Sequence, residues 1–421
     1  MNKKFNPSFA KQLDSADSLS KYRKQFNLPT HQDSDAIYFT GHSLGLQPKN
    51  YDLYLQQELE DWKSMGVDGH FKAKTPWFGY HEILTEGVAS LVGAKRNEVV
   101  TMNGLSVNLH LLLTSFYQPT NKKYKILCEP NLFPSDLYVL RSQIELRGFD
   151  ADEVIVFLPV NSDGVVLDDD LYSTIESNKD VLALIFLGGV NYYTGQVFDT
   201  EKITSVAHSH NIMVGFDLAH AAGNINLQLH QWGVDFAAWC SYKYLNSGPG
   251  NVSSVFIHEN QINKNPFRLS GWWGHNQKNR FLLSEKFQPI NTAEGWQLSN
   301  APIFGMSIYR VSIELFNQIG MSNLIDKRIK LTTYLEEAII SFNTLSKKTN
   351  FKIITPGSAE ERGSQLSVVI NNNGEKIYRA LKDAGVYVDW RKPNVMRIAP
   401  VPLYNSFEDI AKFHNILFTC I

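Results

Sequence analysis

Short, continuous apolar runs recur through the middle of the chain, at 125–128, 154–158, 181–187, 212–216, 236–240 and 254–258. Between several of them the apolar positions fall at helical spacing, as in 136–147 and 202–210. Strand, helix, strand at this spacing predicts right-handed crossovers and a mainly parallel sheet. Hydrophobicity in 182–187 is continuous rather than alternating, as expected for a strand covered on both faces. From about residue 303 the pattern changes. Long helical stretches at 306–320 and 323–343 precede a strand at 365–370, a helix at 374–384 and an extended segment at 396–400. The expected fold class is α/β. A large domain, 46–302, holds a mainly parallel mixed sheet flanked by helices, and a smaller α+β domain follows at 303–421. The N-terminal segment, 1–45, contains a helix and the strand-like Ala36-Ile37-Tyr38-Phe39. It is expected to pack on the small domain or on a partner subunit. No internal repeat or low-complexity stretch is present.

With 421 residues, 43% of them hydrophobic, the chain can bury a large core. Its net charge of -2 implies no strong basic patch, so neither nucleic acid nor an anionic membrane is an expected partner. No run of about 18 apolar residues exists to span a bilayer. Lys3 and Lys4 have no apolar stretch behind them, so no secretory signal is expected. The three cysteines, Cys128, Cys240 and Cys420, fit no zinc spacing, and an odd number argues against a disulfide framework. No metal site is expected, and a reducing cytoplasm is the simplest location. Cys128 and Cys240 read as small buried hydrophobes.

The chemistry concentrates in two neighbouring stretches. Gly215-Phe216-Asp217-Leu218-Ala219-His220 is a buried strand ending in an acid and a histidine, and Ser241-Tyr242-Lys243-Tyr244 follows one strand later. A carboxylate at the end of a buried strand is costly unless a cation meets it. The protonated ring nitrogen of pyridoxal 5′-phosphate (PLP) is such a cation, and the Lys243 amine would form the imine with the cofactor aldehyde. Asp217 could instead be an ordinary N-cap. His220 could pack on the ring, position the acid or simply be an interior histidine. Asn103-Gly104-Leu105-Ser106 opens an apolar helix, whose free N–H groups could attract phosphate, with Ser106 either adding a hydroxyl or serving as an ordinary N-cap. Phe133-Pro134-Ser135-Asp136 opens another: Phe133 could cover one ring face, while Ser135 and Asp136 could be cofactor contacts or plain caps.

These runs, together with Ser43-Leu44-Gly45-Leu46-Gln47-Pro48, Tyr193-Thr194-Gly195-Gln196, Gly271-Trp272, Ser299-Asn300-Ala301-Pro302 and Arg397-Ile398-Ala399-Pro400, closely resemble the kynureninase family in collinear order over nearly the whole chain. The resemblance implies a PLP-dependent transferase fold of type I, shared with aspartate aminotransferase, and a homodimer with shared active sites. It implies hydrolysis of L-kynurenine or its 3-hydroxy form to an anthranilate and L-alanine, in tryptophan degradation and NAD biosynthesis. By this likeness Lys243 carries the imine and Asp217 holds the ring nitrogen, with His220 nearby. Leu105, Ser106 and Tyr242 bind phosphate, Phe133 stacks, and Ser135 and Asp136 add cofactor contacts. Trp272 and Asn300 complete the site across the dimer interface. Ser43 and Arg397 meet the substrate, Arg397 as a planar fork for its carboxylate. Tyr242 is the expected proton donor. His70, with Ser299 and Asn300, resembles the forms favouring 3-hydroxykynurenine.

The chain departs from the family pattern at His42, where many relatives carry Asn, and at Gly188, where a serine often contacts the cofactor. The turn Gly248-Pro249-Gly250-Asn251 is also less glycine-rich than usual. Competing readings are a cysteine desulfurase-like lyase or aminotransferase of the same fold, and a cofactor-free binding protein. A desulfurase needs a mobile nucleophilic cysteine, which this chain does not offer. A binding protein would leave Lys243, Asp217 and Arg397 without purpose.

Overall fold

The computed structural model describes residues 3–283, 285–346 and 350–421, so Met1 and Asn2 of the expected N-terminal segment lie outside the described residues. Seven strands form the large sheet: β1 (Val99–Met102), β2 (Lys125–Cys128), β3 (Ile155–Phe157), β4 (Leu182–Gly188), β5 (Met213–Asp217), β6 (Phe236–Trp239) and β7 (Ser253–Ile257). Their spatial order is β1-β7-β6-β5-β4-β2-β3. All run the same way except β7, which is antiparallel to both β6 and β1. The mainly parallel mixed sheet expected from the pattern is the one observed.

Continuous hydrophobicity in β4 has the anticipated cause. Ile185 and Leu187 enter one core while Leu184 and Phe186 enter another on the opposite face. Period-2 alternation therefore distributes an unbroken apolar run between two helical layers. Helices α1 (Tyr51–Met65), α2 (Glu82–Val92), α3 (Leu105–Phe116), α4 (Pro134–Glu145) and α5 (Thr200–Ser209) lie in sequence with these strands. Phe116 of α3 stacks on Phe236 of β6 with ring centroids 5.0 Å apart. Helix α6 (Ile303–Ile319) buries Met306, Tyr309, Ile313 and Phe316 in the first core, against α1 and α2.

A second sheet, β8 (Lys352–Ile353), β9 (Leu366–Val369), β10 (Asp389–Arg391) and β11 (Val395–Ile398), is antiparallel in the order β8-β9-β11-β10. It shares a third core with the long helix α7 (Met321–Ser346), the amphipathic α8 (Gly374–Asp383) and α9 (Phe407–Leu417). Ile37–Tyr38 pairs in parallel with Val386–Tyr387, which ties the N-terminal segment to this unit. The chain then crosses to the large sheet, where the Gly45 N–H donates to the Tyr242 carbonyl at 2.8 Å. A Cβ at Gly45 would collide with the Lys243 carbonyl, so the crossing needs glycine. Among the described residues no helix is long and apolar enough to cross a membrane.

Candidate active site

The chain segments leaving β1, β2, β4, β5 and β6 at their C-terminal ends converge on one cavity of about 420 Å³, where open α/β sheets bind ligands. Asp217 terminates β5 with its side chain almost buried. Its Oδ1 accepts the Ala219 N–H at 2.8 Å, so Asp217 caps a turn and also faces the cavity. Lys243 sits in the loop after β6 with its Nζ 5.9 Å from the Phe133 ring centroid. Tyr242 lies beside it, half-buried. Burial and the Cys240 thiol push its phenol well above the usual range, so it stays protonated at neutral pH.

Two helix starts form the opposite wall. Gly104 caps α3 with extended backbone and no side-chain hydrogen bond, which leaves the first-turn N–H groups free for an anion. Leu105 and Ser106 line the cavity there. Ser106 Oγ and Ser135 Oγ are 2.7 Å apart, which links the starts of α3 and α4. Phe133 meets Tyr192 edge-on at 5.3 Å. Asp136 is buried in the first turn of α4. Burial and the adjacent Asp217 carboxylate, to which it is hydrogen-bonded, hold its carboxyl well above the usual range.

The small sheet supplies the cationic side. Arg397 on β11 is 1% exposed. Its Nε donates to Asp389 Oδ2 at 2.6 Å, its Nη1 to the Tyr192 carbonyl at 2.8 Å and its Nη2 to Ser43 Oγ at 3.5 Å. Each terminal nitrogen retains a donor for an incoming carboxylate. Arg391 shares Asp389, with Nε to Oδ2 at 2.9 Å. His220 and His42 are both buried here, with ring centroids 6.3 Å apart. Burial first, then the nearby Lys243 and Arg397 charges, hold both imidazoles far below their ordinary range and hence neutral.

Ser43, Leu105, Ser106, Phe133, Ser135, Asp136, Asp217, His220, Tyr242, Lys243 and Arg397 thus line a single cavity. His70, Trp272 and Asn300 do not. His70 hydrogen-bonds the Val67 carbonyl at 3.0 Å, Trp272 is 53% exposed with its indole N–H on the Arg280 carbonyl, and Asn300 is exposed. Glu129, Tyr192 and Arg391 line the cavity without having been singled out in the sequence. Glu129 carries the same local signal as Asp217, an acid directly after a buried apolar strand. Elsewhere, Glu98, His230 and His258 cluster with geometry a metal could use. Backbone N–H groups of Lys95 and Glu259 already occupy the Glu98 oxygens, and that of Asn260 occupies His258 Nδ1, so the group is a hydrogen-bond hub.

Residues 324–417 match the family model described as the kynureninase C-terminal domain. The chain is 49% identical to a kynureninase from Flavobacterium psychrophilum over 97% of this chain and 96% of that one. It is 43% identical to a kynureninase from Mus musculus over 97% and 92%. The chain belongs to the kynureninase family. Similar solved structures include an apo cysteine desulfurase from Thermococcus onnurineus NA1, with a TM-score of 0.76 and 18% identity over 91% of this chain and 94% of that one. They also include a C-DES variant with glycine covalently linked to its PLP cofactor, with a TM-score of 0.78 and 16% identity over 94% and 98%. These two show the shared type I fold alone. The desulfurase reading fails on the thiols: Cys128 and Cys240 are buried, burial pushes the Cys128 thiol up, and no cysteine lines the cavity.

Proposed function

We propose that this cavity binds PLP and hydrolyses L-kynurenine, L-3-hydroxykynurenine or both to the corresponding anthranilate and L-alanine. One observation carries the reading: Asp217, Lys243 and a buried Arg397 with spare donors face one cavity. The donor set fits the cofactor. Glu129, Asp136 and Asp217 gather at one end, Glu129 Oε2 has no partner, and the free helix start lies across the cavity, so a ring cation and a phosphate are both provided for.

Bound PLP supplies an aldehyde for Lys243 and a ring that withdraws electrons from the substrate Cα. Asp217 would face the ring N–H, with His220 as a neutral neighbour. Phe133 would cover one face. Leu105, Ser106 and Tyr242 would hold the phosphate, with Ser135 and Asp136 beside them. Arg397, steadied by Asp389, would fork the substrate carboxylate next to Ser43. The Lys243 amine, when free, would take and hold the substrate Cα proton. Hydrolysis adds water to the aryl ketone and breaks the Cβ–Cγ bond. The protonated Tyr242 phenol then donates to the alanyl carbon.

His70, Trp272 and Asn300 fit this reading as residues lent to a second subunit. Phe71, Trp272 and Phe281 leave large apolar surfaces exposed beside His70, and Phe71, Phe78 and Phe281 stack in series. A homodimer would cover this surface and complete each cavity. A polar His70–Asn300 pair would then hydrogen-bond a ring hydroxyl, which favours 3-hydroxykynurenine. The enzyme would serve tryptophan degradation and NAD biosynthesis. The small domain is best begun near residue 321 rather than 303, because α6 belongs to the large core. Fluorescence detection of anthranilate and 3-hydroxyanthranilate tests the activity. A larger kcat/KM for the hydroxylated substrate is expected. No product from either substrate would refute the activity, and a preference for kynurenine would refute the role of His70 and Asn300.

A further inference from the structure

Glu129 is buried on the cavity wall and has no part in the steps above. It follows β2 directly, and its side chain is 3% exposed. The Gly188 N–H and the Asn191 side chain hydrogen-bond its carboxyl, while Oε2 has no partner. Gly188 leaves it room: a Cβ there would stand 3.0 Å from Oε1, and the carboxyl would have to give by a few tenths of an ångström. Gly188 is in register with Asp217 on the adjacent strand, and β4 stands between β2 and β5, so the two carboxyls flank the end of β4 from either side. The groups facing Glu129 from the surrounding elements are Asp217 on β5, Asp136 on α4, Tyr192 after β4 and Cys128 on its own strand. Lys243 offsets Asp136 rather than Glu129. A buried carboxyl among acids is least costly when protonated. Burial, reinforced by Asp217, pushes Glu129 up to about 7.

We propose that Glu129 is a positioning residue acting through Asp217: it carries a proton in the cofactor-free protein and releases it when the pyridinium of PLP lies against Asp217. Only the Glu129 O–H bond breaks; the proton leaves to solvent and the ring keeps its own. The inference rests on the reading of Asp217 given above. Below about pH 7, release of one proton makes PLP binding tighten by up to about tenfold per pH unit, and the dependence flattens above that. PLP titrations of the cofactor-free full chain between about pH 5.5 and 8 should therefore give a steeper slope for wild type than for Glu129→Gln, by up to about one decade per unit. Infrared difference spectra of the wild-type protein at acidic pH should lose a protonated-carboxyl band on adding PLP. Asp136→Asn removes the other raised carboxyl and should keep the lost band, so this readout holds even where Glu129→Gln fails to fold. Equal slopes, or no band lost, would overturn the proposal. Asp217→Asn separates the two readings. If it binds PLP as tightly as wild type, with the same absorbance, the Asp217 assignment fails. If it binds weakly while wild type and Glu129→Gln share one slope, only the role of Glu129 fails.

Discussion

The two ends of the cavity carry opposite charge and come from different sheets. The acidic end, Asp217, Glu129 and Asp136, hangs from the parallel strands of the large sheet and the start of α4. The basic end, Arg397 and Arg391, stands on adjacent antiparallel strands of the small sheet. At the basic end one carboxylate, Asp389, answers both guanidiniums at 2.6 and 2.9 Å. Among the described residues no such ion pair is built in at the acidic end: the carboxyls meet one another, and Lys243 partly offsets Asp136. The basic end is thus preorganised for an anion with spare donors, whereas the acidic end is short of a cation. A cofactor that brings a ring cation and a substrate that brings a carboxylate would satisfy each end in turn.

Removing the group between the two ends should have the largest effect. Lys243→Ala is expected to abolish the visible absorbance of the lysine-bound cofactor and to lower kcat by roughly 10³-fold or more. Absorbance spectra and single-turnover assays check it, and a retained band would refute the assignment of Lys243. At the basic end, Arg397→Lys keeps the charge but loses the planar fork. We expect kcat/KM to fall about 10- to 100-fold, mostly through KM, with the cofactor spectrum unchanged. Arg397→Ala should also cost about 1–3 kcal/mol in urea unfolding, because the Tyr192 carbonyl loses its donor and Asp389 keeps only Arg391. A change in spectrum with KM unaltered would place Arg397 on the cofactor and break the contrast between the ends.

Much of this contrast was legible in the sequence, though unevenly. The apolar run at 125–128 is β2 residue for residue, and the other central runs match strands with ends displaced by at most one residue. The four-residue β1 went unmarked because a short apolar stretch running into Asn103-Gly104 carries little period. Asp217 is recognisable because Lys243 follows just after the next strand. Glu129 has the same local character, but only the sheet order, which brings β2 next to β4 and β4 next to β5, makes it a neighbour of Asp217. Arg391 similarly depends on the pairing of β10 with β11. The N-terminal segment and the tail could be assigned to the site through resemblance, yet no local pattern shows that Ser43 and Arg397 meet. His70, Trp272 and Asn300 rest on resemblance alone, and the single chain leaves them outside the cavity.

The smallest expected effect separates the two ends by their response to acid. Burial, then Arg397 and Lys243, holds His42 below its ordinary 6.5. The unfolded chain therefore takes up a proton as pH falls through about 6.5, while the native His42 does not, so its contribution is full above that pH and declines below it. Glu129 has the opposite sign. Its folded value, about 7, lies above the ordinary 4.5, so its contribution is full below about 4.5 and is lost as pH rises through about 7. The two slopes oppose each other between about pH 4.5 and 6.5, and wild-type stability alone would hide both. The difference between variants exposes them. His42→Asn should lose less stability than wild type on acidification below about 6.5, by up to about 1.4 kcal/mol per pH unit, in urea unfolding of the cofactor-free protein. Glu129→Gln should gain relative to wild type as pH rises toward 7. Parallel stability curves for wild type and His42→Asn would show that the basic end tolerates a further charge and is less tightly organised than its hydrogen bonds imply.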